Sequence, residues 1–266
     1  MSKYRLSCAA LALALTTLPA QALVNGVATS QFNAVGEVAG MSGVLIADGW
    51  VLTASHVVGA IQLGSTAFVS GAGQSVIDTV VVHPQASMPG NDLALLHLSS
   101  ALQSVAAPVL YDIELGPLSA HGAVTLTSAQ NQNPNGYAYG GLAGALATYT
   151  QTTATGGVTT TTSYDTHWLL TSGAAYVQGG DSGGGLFLGQ VQDSAGSTLL
   201  GIASAQLSSN GVYESAWVQV ASYKGWIDST LASTGQSAQW YSAVPEVPAL
   251  ALLLCGLPAL LRRRCA

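Results

Sequence analysis

The chain has 266 residues, room for one large β domain or two small ones around a sizeable core. Charged side chains make up only 7% of it, and between residues 23 and 243 the single base Lys224 faces eleven acids, a net charge of −10. With nothing there to neutralise phosphates, nucleic acid is excluded as a partner.

Taken in order, residues 1–22 read as a secretory signal peptide. Lys3 and Arg5 precede an apolar stretch from Leu6 to Leu18, and Ala20-Gln21-Ala22 offers small residues at a cleavage site. The alternative, a permanent transmembrane anchor, needs a longer apolar run. Cys8, Cys255 and Cys265 all lie in the terminal segments, so the central region must hold by packing without disulfides.

From Leu23 onward, short apolar runs alternate with Gly, Ser, Asn and Pro. Strands are predicted over 35–46, 49–58, 67–70, 76–83, 93–98, 105–110, 123–127, 142–149, 158–163, 186–188, 199–205 and 212–220. Many short strands with turn chemistry between them indicate an all-β sandwich or pair of barrels, not a βαβ protein. Thr148–Ser163 is threonine-rich with Gly156-Gly157 in its middle, the pattern of an exposed hairpin ribbon, and Asn131–Gly136 is turn-forming. Over 220–232, Tyr223, Trp226, Ile227 and Leu231 recur at helical spacing, which predicts a short helix.

Three stretches carry chemistry. Gly49–Val58 ends a β-rich run on His56, and Asn91–Leu98 opens an apolar strand with Asp92. In Gln178–Gly185, Ser182 follows Asp181 and is flanked by five glycines. Such a run marks a tight turn that presents its non-glycine members. A serine hydroxyl is a weak nucleophile until a base takes its proton, and that base needs a partner to fix its tautomer. Ser182, His56 and Asp92 supply those three parts. The N–H groups of Gly180 and Ser182 could converge where an oxyanion forms. His83, His97, His121 and His167 show no ligand spacing, so no metal and no cofactor are expected.

The chain order His56, Asp92, Ser182 and the pieces Leu-Thr-Ala-Ser-His, Asn-Asp-Leu-Ala-Leu-Leu and Gly-Asp-Ser-Gly-Gly resemble the trypsin-like serine proteases of the chymotrypsin family. The resemblance covers residues 23 to about 232. It implies an all-β fold of two six-stranded antiparallel barrels with the active site between them and a short C-terminal helix. The expected division is a protease domain over 23–234, with a first barrel at about 23–115, a second at about 116–220 and a helix at about 220–232. It also implies peptide-bond hydrolysis through an acyl-enzyme, with protein or peptide substrates and a monomeric chain. The rival readings are an esterase using the same triad and a catalytically silent surface or matrix binding protein that kept the fold.

By the same resemblance Ser204 supports the aspartate, and Asp181 pairs with a new N-terminus at Leu23. Tyr176 forms the base of the S1 pocket, with Gln206 and Gly211 on its walls. No buried anion would then await Arg or Lys, so a small or apolar P1 residue is expected. After a polar linker over 235–243, Val244-Pro245-Glu246-Val247-Pro248 precedes the apolar run Ala249–Leu261 and Arg262-Arg263-Arg264. This tail, 244–266, resembles the PEP-CTERM sorting signal of exported Gram-negative proteins, and a plain membrane anchor is the alternative. It implies export across the inner membrane, a periplasmic, cell-surface or extracellular home, and contact with a sorting machinery.

Overall fold

The computed structural model of the protein describes residues 22–241, apart from 104, 118–121 and 130–134. The proposed signal peptide, all but its last residue, and the proposed sorting tail lie outside the described residues, as do His121 and most of the 131–136 turn.

Alternating apolar residues and Gly-containing turns build an antiparallel first barrel. Its strands are β2 (Val35–Val38), β3 (Met41–Ala47), β4 (Trp50–Thr53), β5 (Ala67–Ser70), β6 (Gly73–Val82) and β7 (Ala94–Leu98), after a short β1 (Val27–Thr29) that pairs elsewhere. They close in the order β2-β3-β4-β7-β6-β5. Closure leaves no unpaired edge. Val38, Leu45, Val51, Phe68, Ile77, Leu96 and Leu98 fill its interior.

The remaining strands form a second sheet: β8 (Val109–Tyr111), β9 (Ala123–Ser128), β10 (Asn135–Thr155), β11 (Val158–Ser172), β12 (Gly185–Leu188), β13 (Thr198–Ser209), β14 (Val212–Gln219) and β15 (Trp240–Tyr241). β12 pairs with β9 and also with β13, so β12-β9-β10-β11-β14-β13 ring back on themselves as six strands. β1 joins this ring along β10, and β8 and β15 add to it in parallel. The two six-stranded rings are the fold expected from the sequence. Leu126, Leu169, Leu186, Leu200 and Trp217 pack within the second ring. A third cluster, including Trp50, Leu93 and Leu95 with Trp168, Ile202 and Phe187, welds the two together. Trp50 and Trp168 are almost fully buried there, each indole removing about 150–250 Å² from water.

Three local departures from the sequence reading have physical causes. The strand predicted over 49–58 stops at Thr53, and Ser55–Ala60 forms a 3₁₀ turn that carries His56. The Asp92 carboxylate accepts from both Ser55 Oγ and the His56 N–H, which draws the chain out of the strand. The ribbon is longer than predicted: β10 and β11 pair from Gly141–Ser172 out to Thr155–Val158, and Gly156 and Gly157 turn the chain at φ 59° and 82°. Both φ values are positive, which glycine adopts without steric cost.

The third departure is the stretch read as a linker, 235–243. Its described part is docked: β15 pairs with β8, and Trp240 Nε1 donates to Asp228 Oδ1 at 2.7 Å. Lys224 Nζ sits 3.9 Å from the centre of the Trp240 ring. A two-residue strand is too short to show a sequence pattern, which is why it was missed. Ahead of it, the predicted helix takes the form of a 3₁₀ turn at Ala221–Tyr223 continuing into α1 (Lys224–Ala232), with Tyr223, Ile227 and Leu231 buried.

Candidate active site

Three chain segments meet where the two rings face each other. The 3₁₀ turn after β4 presents His56, the approach to β7 presents Asp92, and the glycine turn before β12 presents Ser182. Gly183 shows why that turn needs glycine. It sits at φ 86°, and a Cβ there would run into the Ser42 carbonyl of the first barrel and the Thr53 hydroxyl. The Ser42 N–H in turn donates to the Ser182 carbonyl at 2.8 Å, fixing the turn against the facing barrel.

Ser182 Oγ lies 2.7 Å from His56 Nε2, and His56 Nδ1 lies 2.8 Å from Asp92 Oδ2. An ionised carboxylate can only accept, so Nδ1 carries the proton and Nε2 is left to accept from the serine hydroxyl. Asp92 is fully buried and takes four hydrogen bonds. Ser55 Oγ at 2.7 Å and the His56 N–H at 3.0 Å reach Oδ1. His56 Nδ1 and Ser204 Oγ, the latter at 2.7 Å, reach Oδ2. Burial by itself would raise this carboxyl, but the His56 hydrogen bond and charge, with those from Ser55 and Ser204, hold it below the usual value. Ser55 was not singled out from the sequence, although its place beside His56 was a signal.

Gly180 has φ 99°, and among the described residues neither its N–H nor that of Ser182 donates to another group. N–H groups without a partner beside a serine hydroxyl could donate to an anion formed there. Asp181, between them, points the other way into the second ring and is fully buried. Its Oδ1 accepts from Ser128 Oγ at 2.6 Å and from the Leu23 N–H at 3.1 Å, and its Oδ2 from the Gln178 N–H at 2.7 Å. Burial raises this carboxyl above its usual value, and these uncharged donors offset the rise only in part. Leu23 is fully buried and Ala22 nearly so, with Val24 bridged to Tyr176.

Beside Ser182 opens a cavity of about 260 Å³ lined by Met88, Val177, Gln178, Gly179, Ala203, Ser204, Ala205 and Gln206. Of the three residues expected to shape a specificity pocket, only Gln206 lines it. The Tyr176 ring instead stacks on Tyr213, 4.7 Å between centres and nearly parallel. Gly211 sits at the tip of the β13–β14 hairpin, at φ 79° after Asn210. β13 and β14 pair from Gly201–Gln219 to Ser209–Val212, with a bulge between Ala203 and Ala205, and Gly211 lies in the two-residue turn at the far end of that hairpin. Met88, from the loop before Asp92, takes a place that nothing in the sequence marked. No charged side chain lines the cavity among the described residues.

Among the described residues no group of His, Cys, Asp or Glu could hold a metal ion. No described helix is long and apolar enough to cross a membrane.

A hydroxyl, an imidazole and a buried carboxylate in one hydrogen-bonded line form the arrangement that activates the serine of a serine hydrolase. The trypsin family model matches residues 25–227, and the chain belongs to that family, the serine peptidases of trypsin type. No curated protein matches the chain.

Proposed function

We propose that the protein is an exported serine endopeptidase in which Ser182 attacks the scissile carbonyl. The observation that carries this reading is the unbroken line Asp92–His56–Ser182 beside the N–H groups of Gly180 and Ser182, which donate to no other group among the described residues. As Oγ bonds to the carbonyl carbon, its proton passes to His56 Nε2, and Asp92 stabilises the resulting imidazolium. The carbonyl oxygen takes up the negative charge and is held by the two N–H groups. Collapse of this tetrahedral species expels the amine, which receives the proton from His56 and leaves an acyl-enzyme. Water, deprotonated by the same imidazole, then frees the acid and restores Ser182.

The cavity beside Ser182 bounds the substrate. Its walls from Met88, Val177, Ala203 and Ala205 are apolar and its rim from Gln178 and Gln206 is neutral, so an uncharged, apolar P1 side chain fits. An ammonium or guanidinium would be desolvated there without a partner.

Cleavage after Ala22 would turn the Leu23 N–H, already within reach of Asp181, into an ammonium. Removal of the leader is then also the activating step. The 244–266 tail would serve sorting at the membrane. The intact mass of the exported protein tests both ends: a fully active chain beginning well away from Leu23 removes the activation reading.

The enzyme reading is tested by labelling the purified exported protein with a fluorophosphonate, beside Ser182→Ala. Wild type should label and cleave peptides with apolar P1 residues about ten-fold or more better than those with Arg or Lys. The variant should do neither. Equal labelling of the two, or of neither, leaves a binding protein that kept the fold.

A further inference from the structure

Asn91 stands directly before Asp92 and has a left-handed backbone, φ 45°. Outside glycine such a conformation is uncommon and is kept by its surroundings. Three parts of the chain hold it. The Asn91 N–H donates to the Asp165 carbonyl of β11 at 2.8 Å, reaching the second ring. Its Nδ2 donates to the Gln85 carbonyl of the first barrel at 3.3 Å. Its Oδ1 accepts from the Tyr223 hydroxyl at 3.0 Å.

Tyr223 is itself gripped. The His83 ring, from the first barrel, meets it edge-on at 5.1 Å between centres, and the His167 ring of β11 does so at 5.7 Å. His167 is anchored by Nδ1 to Glu114 Oε1 at 3.1 Å, and Ser222, beside Tyr223, donates to the same oxygen at 2.9 Å. Burial, and then the charges of Asp92, Asp165 and Glu114, push the Tyr223 phenol far above its usual value. The hydroxyl therefore stays a donor throughout the physiological range. Only 4% of Tyr223 is exposed, so water does not readily replace it.

We propose that Tyr223 is a positioning residue for catalysis: through Asn91 it fixes the backbone from which Asp92 reaches His56, locking both barrels and the C-terminal turn onto the triad carboxylate. Substrate never touches it. The observed donors to Asp92 orient the carboxylate itself, whereas Tyr223 orients the peptide that carries it. A carboxylate on a looser backbone would hold the imidazole in several orientations, only one of which presents Nε2 to Ser182. The cost falls on turnover and not on substrate binding.

This rests on the endopeptidase reading, and the experiment separates the two. Tyr223→Phe removes one hydroxyl and keeps the ring between the two imidazoles. Expected is a fall in kcat of about three- to ten-fold, the worth of one hydrogen bond, with KM unchanged. In an Asp92→Asn background, the same change should lower the residual kcat no further. Asn91→Gly keeps the positive φ but loses the clamp. It carries the same expectations, and answers the question if Tyr223→Phe does not fold. A kcat within two-fold of wild type overturns the inference, as does a loss carried by KM or one that persists undiminished in the Asp92→Asn background. A wild-type protein that neither labels nor cleaves overturns the endopeptidase reading instead.

Discussion

Two aspartates lie fully buried on either side of the nucleophile, and their surroundings drive them in opposite directions. Asp92 receives four hydrogen bonds, one from an imidazole that can become a cation, and its carboxyl is lowered. Asp181 receives three, all from uncharged groups, and its carboxyl is raised. Burial is nearly the same for both, so the partners decide. What separates the two sites is the imidazole: Asp92 bonds to one that can take up a proton, and Asp181 meets only the Ser128 hydroxyl and the amides of Leu23 and Gln178. On the proposed reading, the ammonium left by cleavage before Leu23 would supply the missing charge at the second site.

The comparison breaks most severely at Asp92. In Asp92→Asn the carboxamide can no longer hold Nδ1–H and stabilise the imidazolium together. The expected fall in kcat is about 10⁴-fold, read from steady-state peptide hydrolysis. Activity within a few-fold of wild type would remove Asp92 from the triad.

Next in size is the charge on Leu23. A chain that keeps residues before Leu23, and so holds its nitrogen as an amide, is compared with one that begins there. The free ammonium should raise activity by about 10²-fold, because Asp181 lies between Gly180 and Ser182, whose N–H groups are the proposed oxyanion donors. The stability signs also differ. With the amide, the raised Asp181 carboxyl weakens the fold as pH climbs from the ordinary carboxylate value through the folded one. With the ammonium, pairing stabilises the fold fully below the free amine value of about 7.7–8.0 and fades as pH rises through the higher folded value. Parallel stability curves from pH 4 to pH 9 in the two chains would contradict the pairing.

How far the sequence foretold this site depends on distance along the chain. His56, Asp92 and Ser182 were legible because each sits in a local pattern with its own turn or strand signal. The Gly156-Gly157 hairpin was legible for the same reason. The wall of the cavity was not. Met88 lines the cavity from the loop between β6 and β7, and the Tyr176 ring stacks on Tyr213 of β14, both through contacts between segments distant in sequence. The Tyr223–Asn91 contact joins residues 132 positions apart and leaves no periodic trace. Ser128, which donates to Asp181 from the end of β9, was invisible on the same grounds. Packing between the rings determines these partners, and no short window of residues contains it.

The smallest effect gives the finest test, because it compares one hydroxyl at each site. Ser55 Oγ donates to Asp92 Oδ1 at 2.7 Å, and Ser128 Oγ donates to Asp181 Oδ1 at 2.6 Å. Each bond to an ionised carboxylate is worth about 1.5–3 kcal/mol. Ser55→Ala and Ser128→Ala, made in the inactive Ser182→Ala background to prevent self-cleavage, should each lose roughly that much stability where the carboxylate is charged. Acid should erase both losses, since a protonated carboxyl no longer needs the donor in the same way. The pH at which each loss disappears follows the folded value of its own carboxyl. Asp92 is lowered, so the Ser55 loss should persist well into acid and fade only as pH falls through that lowered value. Asp181 is raised while Leu23 is an amide, so in the leader-retaining chain the Ser128 loss should fade at higher pH. Freeing the Leu23 ammonium lowers Asp181 and should move the Ser128 window down toward that of Ser55. Denaturant unfolding between pH 3 and pH 8 reads both differences. If the two losses fade together in the leader-retaining chain, the two aspartates are not distinguished by charge, and the contrast drawn between them is wrong.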